Sequence, residues 1–189
     1  LADPFGKQLS DLVMAGRGVD AFNVLVQQMN KGAEAKIKSE SMLRNAWTKI
    51  MDLADQYNDP GEFTAFIGYE WTSQPGGNNL HRVVVFRGDK ASVDPVLPFS
   101  NFDSENVEDL WDYMAAYEND TGGQVLATPH NGNLSSGMMF APKYQTDGKP
   151  IDKNYAEMRT RWEPIVEVTQ AKGTGEAHPF LSPDDEFAE

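Results

Sequence analysis

The side chains able to do chemistry in this sequence are few. It has three histidines and no cysteine. His81 stands in Leu80-His81-Arg82-Val83-Val84-Val85-Phe86, at the mouth of a predicted strand, and His130 follows Val125-Leu126-Ala127-Thr128-Pro129, just past another. A third strand-like run, Phe63 to Trp71, carries Glu70 near its end. One carboxylate and two imidazoles are usual ligands for zinc, manganese or iron. An ion held by such a set activates water for hydrolysis. Nucleophilic and nucleotide chemistry read poorly by comparison. The sequence has no thiol, no Gly-x-Ser-x-Gly elbow, no Gly-x-x-x-x-Gly-Lys-Ser/Thr loop and no dinucleotide fingerprint.

Each of these residues also has a plainer reading. Glu70 would otherwise be a surface carboxylate at a strand end, but Tyr69 and Trp71 beside it desolvate it in part, and a cation would offset that cost. His81 comes eleven residues later, so a hairpin would bring the two side by side; as a plain residue it caps the strand or bonds across the loop. His130 enters Asn131-Gly132-Asn133, where Pro129 fixes the backbone and Gly132 permits close approach; otherwise it is a polar loop histidine. His178, in Glu176-Ala177-His178-Pro179, reaches the site from a loop or is simply exposed. Asn78, Asn79, Asn131 and Asn133 either position substrate oxygens or serve turns. Arg82 is a candidate partner for an anionic group, although strand alternation points it away from His81.

The elements that must position these groups are legible from periodicity. Residues 7–30 read as two short amphipathic helices broken near Gly16-Arg17-Gly18. Ser39 to Tyr57 is the clearest helix, with Leu43, Ala46, Trp47, Ile50, Leu53, Ala54 and Tyr57 at three- and four-residue intervals and Ser39 or Ser41 as its cap. Phe63–Gly68 and Leu80–Phe86 read as buried strands. Ser104 to Glu118 reads as a helix capped by Ser104 and ended by Gly122-Gly123. Gln124–Thr128 is a third strand, Asp152–Trp162 a helix and Ile165–Gln170 a fourth strand. Trp47, Trp111 and Trp162 fall on apolar helix faces and read as core. The alternation of helix and strand predicts an α/β fold with a largely parallel sheet. Residues 1–60 are mainly helical, and 61–189 carry the strands and the candidate site.

Composition bounds the partners. The 189 residues, 40% hydrophobic and 11% aromatic, suffice for one packed domain. A net charge of −13 excludes a phosphate-backbone binder but not a small anionic substrate, because bound cations reverse the local field. No apolar run approaches the ~20 residues of a membrane span. An absence of cysteine suits cytoplasm and periplasm equally, and the compartment is unknown.

Taken together, Ala65-Phe66-Ile67-Gly68-Tyr69-Glu70-Trp71, Pro75-Gly76-Gly77-Asn78-Asn79-Leu80-His81-Arg82, Pro129-His130-Asn131-Gly132-Asn133 and Gly175-Glu176-Ala177-His178-Pro179 carry a resemblance. They resemble a bacterial domain-of-unknown-function family related to the PHP (polymerase and histidinol phosphatase) superfamily of metal-dependent phosphoesterases. The resemblance implies a distorted PHP-like (β/α)7 barrel with divalent metal ions at the strand ends. Glu70 is similar to the ligand of a Gly-x-Glu strand, His81 to a histidine that opens the next strand, and His130 to the histidine of an Ala-His-Pro segment. The His-x-His and Asp-x-His pairs of PHP sites do not occur here. The expectation is therefore an incomplete barrel, the middle of a parent chain that supplies the remaining ligands, with little activity of its own. The function implied is phosphate ester hydrolysis by metal-activated water. Glu70, His81 and His130 are the expected ligands, and Arg82, Asn131 and His178 the expected stabilisers of the anionic transition state. The rivals are metal-dependent hydrolysis of another ester or amide, and a non-catalytic binding or structural segment.

Overall fold

The computed structural model describes residues 4–29, 40–171, 173, 174, 180 and 183. They form a mixed α/β structure in two compact units, residues 1–46 and 47–189. In the first unit, helices α1 (Pro4–Met14) and α2 (Gly18–Met29) pack on each other across the break at Gly16-Arg17. Gly16 takes the left-handed φ of 72° that this turn needs.

Helix α3 (Glu40–Tyr57) crosses the boundary, and its part from Trp47 onward belongs to the second unit. There the chain forms β1 (Ile67–Trp71), β2 (Arg82–Arg87), a single helical turn α4 (Lys90–Val93), α5 (Val107–Thr121), β3 (Gln124–Pro129) and α6 (Lys153–Trp162). A two-residue pair, β4 (Thr169–Gln170) with β5 (Gly173–Thr174), follows.

The main sheet is antiparallel throughout, in the order β1-β2-β3, and is not closed into a barrel. The expected largely parallel sheet is therefore corrected. Val83-Val84-Val85-Phe86 reads as a strand buried on both faces, yet burial along β2 alternates and Val83 and Arg87 are exposed. A sheet with one covered face is the antiparallel case. The first strand also begins later than Phe63. Asp59 and Phe63 bridge in the turn after α3, so pairing starts at Ile67 and Glu70 lies inside β1 rather than after it. Of the predicted fourth strand, only Thr169-Gln170 pairs.

The covered face holds the core. Ile67 and Trp71 of β1, Val84 and Phe86 of β2, and Val125 and Ala127 of β3 pack under Trp47 and Met51 of α3, Leu110, Trp111, Met114 and Tyr117 of α5, and Tyr155 of α6. Trp162 is partly buried against them. Phe86 and Tyr117 meet edge-on with centroids 4.8 Å apart, as do Trp47 and Tyr69 at 5.9 Å, while Tyr69 and Phe86 stack. Helix α5 starts three residues later than predicted. Asn106 holds the cap position without a side-chain bond, and the Ser104 hydroxyl donates to Asp109 instead. Asp152 caps α6 by accepting from the Tyr155 N–H at 2.9 Å.

Among the described residues, no helix is long and apolar enough to cross a membrane.

Candidate metal site

The register of the sheet assembles the site. Arg82 pairs with Trp71 on one side and Pro129 on the other, and Val83 pairs with Glu70 and Thr128. One step beyond the last pair, the His130 N–H donates to the His81 carbonyl at 3.1 Å, which extends the ladder. Side chains alternate along a strand. His81 and His130 are thus cross-strand neighbours, and Glu70 lies one row away on the same uncovered face.

The side chains meet as this register dictates. Glu70 Oε1 lies 2.8 Å from His130 Nε2 and 3.2 Å from His81 Nδ1. The two imidazole centroids are 5.7 Å apart. All three ligand atoms fall within 4.8 Å of one another. Both rings are largely buried, while the Glu70 side chain is 48% exposed and leaves the pocket open to solvent. Burial pushes the Glu70 carboxyl up, but the hydrogen bond from His130 and the electrostatic pull of the two imidazoles outweigh it, so the net shift is below the ordinary 4.5.

This donor set fits a divalent cation. Ligand distances near 2.0–2.2 Å in a tetrahedral site put donor atoms about 3.3 Å apart. The Glu70–His81 separation already matches, and the Glu70–His130 contact needs to open by a few tenths of an ångström. A Glu/His/His group could hold a metal ion here.

The other predicted residues divide. Asn131 joins the site. It adopts the left-handed φ of 65°, rare outside glycine but tolerated by asparagine, and its Nδ2 lies 3.2 Å from His81 Nδ1. Arg82 does not join it. Its side chain enters the core face, 1% exposed, and its Nε donates to Glu163 Oε1 at 3.0 Å. Its guanidinium also bonds the Leu80 carbonyl and lies over Trp71. Burial pulls the guanidinium down from its usual pKa and Glu163 opposes that. His178 lies outside the described residues.

Two carboxylates near the site were missed. Glu163 accepts from Arg82, from Trp111 Nε1 at 3.1 Å and from Arg159 at 2.8 Å, which ties the start of β2 to the end of α6. Glu167 accepts the Asn131 N–H at 2.9 Å, and its own N–H donates to the Pro129 carbonyl at 3.0 Å. A sequence signal existed only in the spacing Glu163-x-x-x-Glu167 beside the apolar Ile165, Val166 and Val168.

The family model described as Protein of unknown function (DUF3604) matches residues 7–189, and the chain belongs to that family. No curated protein and no solved structure matches it. The family description states no activity and no link to the PHP superfamily.

Proposed function

From membership of a family without a stated activity, we propose that this chain carries the metal-holding part of a metal-dependent hydrolase, with a small phosphate ester as substrate. The observation that carries this reading is the convergence of Glu70 Oε1 on His81 Nδ1 at 3.2 Å and His130 Nε2 at 2.8 Å. The choice of zinc, manganese or iron stays open, since the same ligand types suit all three. When bound, such an ion supplies Lewis acidity, making water nucleophilic at neutral pH and offsetting charge on a phosphoryl oxygen.

The chain's own residues do the rest. Glu70 offers a charged oxygen at the solvent edge, and the histidines offer nitrogens from a wall that water reaches poorly. Thr128, in the same row as Glu70, also lines a groove with Phe66, Val85, Leu126 and Ile165, which leaves room for the body of an ester. Arg82 drops out of the reaction because Glu163 holds it on the other face. The phosphate preference rests on the likeness of the Glu70, His81 and His130 segments to PHP phosphoesterases.

The test is metal content followed by turnover. The purified chain, dialysed against zinc, manganese or iron, is expected to retain a stoichiometric ion. The Glu70→Gln/His130→Ala variant is expected to lose it, and with it metal-supported hydrolysis of p-nitrophenyl phosphate. Retention of full activity by that variant overturns the proposal. A wild-type chain that holds no ion overturns the metal reading of the triad. Turnover of amides or sulfate esters alone would keep the metal and change the substrate.

A further inference from the structure

Behind His81 runs a chain of hydrogen bonds whose direction can be worked out. Gln170 Nε2 lies 2.6 Å from Glu167 Oε2 and 2.7 Å from Asn131 Oδ1. The Asn131 N–H donates to the same Glu167 oxygen at 2.9 Å. Asn131 Nδ2 then lies 3.2 Å from His81 Nδ1.

Hydrogen-bond chemistry orients every link. An ionised carboxylate only accepts, so Glu167 must face the nitrogen of the Gln170 amide. The second hydrogen of that nitrogen goes to Asn131, which must therefore present its oxygen. This turns the Asn131 NH2 toward His81. An NH2 group only donates, so it must meet a lone pair on Nδ1, and the proton of the neutral ring sits on Nε2. Glu70 Oε1 stands 3.2 Å from the same bare nitrogen. With the ring proton on Nε2, which is buried and meets no acceptor among the described residues, these two atoms both offer lone pairs and repel at that separation unless a cation lies between them.

We infer that Glu167, Gln170 and Asn131 form a positioning relay, which keeps the Nδ1 lone pair of His81 unprotonated and turned to the Glu70–His130 pocket for a divalent cation. The purpose of the relay rests on the metal-site reading above, but its geometry does not. None of the three residues belongs to the ligand group Glu70, His81 and His130. Their effect is to fix the ring form before the ion arrives, so that uptake requires no shift of the ring proton. The entering ion replaces the Asn131 N–H as the partner of the lone pair. Outer partners of this kind typically change metal affinity by about 10–100-fold.

The plainer alternative is that Asn131 is present only because its backbone is left-handed. Asn131→Gly separates the two. Glycine takes φ near 65° freely and keeps the N–H bond to Glu167, so what is lost is the side-chain link from Gln170 to His81. Asn131→Asp keeps an acceptor for Gln170 but places an oxygen where the NH2 was.

The experiment uses the metal-free 189-residue chain labelled with 15N, and long-range 1H–15N spectra of the imidazoles. Wild type is expected to show His81 protonated on Nε2 with a bare Nδ1. Asn131→Asp is expected to move the proton to Nδ1, and Asn131→Gly to give a mixture. Titration with zinc alone should show a dissociation constant raised roughly tenfold or more in Asn131→Gly, with circular dichroism unchanged. A wild-type His81 protonated on Nδ1, or a ring form indifferent to Asn131→Asp, overturns the relay. If wild type binds no zinc, the metal reading of the triad fails, while the spectra still decide the relay.

Discussion

Removing Glu163 should cost this protein more stability than removing any exposed charge. The carboxylate and the Arg82 guanidinium are each 1% exposed and 3.0 Å apart. In Glu163→Ala, Arg82 would stay in the core with only the Leu80 carbonyl and the Trp71 ring for company. Trp111 Nε1 would lose its acceptor as well, and Arg159 its partner at 2.8 Å. Breaking a buried pair from one side costs about 3–5 kcal/mol, because the survivor is an uncompensated charge. Native stabilities run at roughly 5–15 kcal/mol, so this is about a fifth of the total or more. At about 2–4 °C per kcal/mol for a chain of this size, the melting temperature should fall by roughly 6–20 °C. Urea and thermal unfolding followed by tryptophan fluorescence measure it. The double variant Arg82→Met/Glu163→Leu tests the reasoning, since it removes both charges and should be more stable than Glu163→Ala. A loss below about 1 kcal/mol in Glu163→Ala, the range of an exposed pair, or a double variant as unstable as the summed single losses, would refute the account.

Other perturbations read other parts of the structure. Gly68→Ala would place a Cβ 2.7 Å from the Val84 carbonyl oxygen of the paired strand, so β1 and β2 must part. We expect a loss of about 1–3 kcal/mol in urea unfolding and weaker metal uptake, because Glu70 shifts with β1; a neutral change would show the strands can yield. Asp152 is held below its ordinary 3.8, first by the Tyr155 N–H and then by the Tyr144 hydroxyl. A carboxyl depressed in the folded state gives stability that is complete above the unfolded value and lost as pH falls through the folded one. The urea midpoint should therefore drop as pH falls below 3.8, and Asp152→Asn, which keeps a cap but cannot titrate, should flatten part of that drop.

The helices were legible in the sequence because their signals are local. The spacing of Trp47 and Ala54 and the run from Leu110 to Tyr117 reveal α3 and α5 without help from the rest of the chain. Strand direction is not local. The connection from β2 to β3 is long enough to return the chain either way, and four apolar residues in a row conceal which two face water. His81 and His130 could be named because the sequence has only three histidines, and Glu70 because it stands at the end of an apolar run between two aromatic residues. Alternation already sent Arg82 to the opposite face from His81, and the structure shows what holds it there. Glu163 and Glu167 were beyond reach, since each acts on a partner far along the chain, 81 residues away for Arg82 and 36 for Asn131.

The pleat of β1 makes interior and pocket two sides of one alignment. Sliding β1 by a single residue against β2 would turn Trp71 outward to solvent and carry Glu70 into the apolar layer. A hairpin out of step by one residue would therefore lose both together. An ion gripped by Glu70, His81 and His130 would bind only chains whose strands have met in step, and by mass action would deepen that state alone. The cation would then serve folding as a proofreader of strand alignment, before any ester reached it.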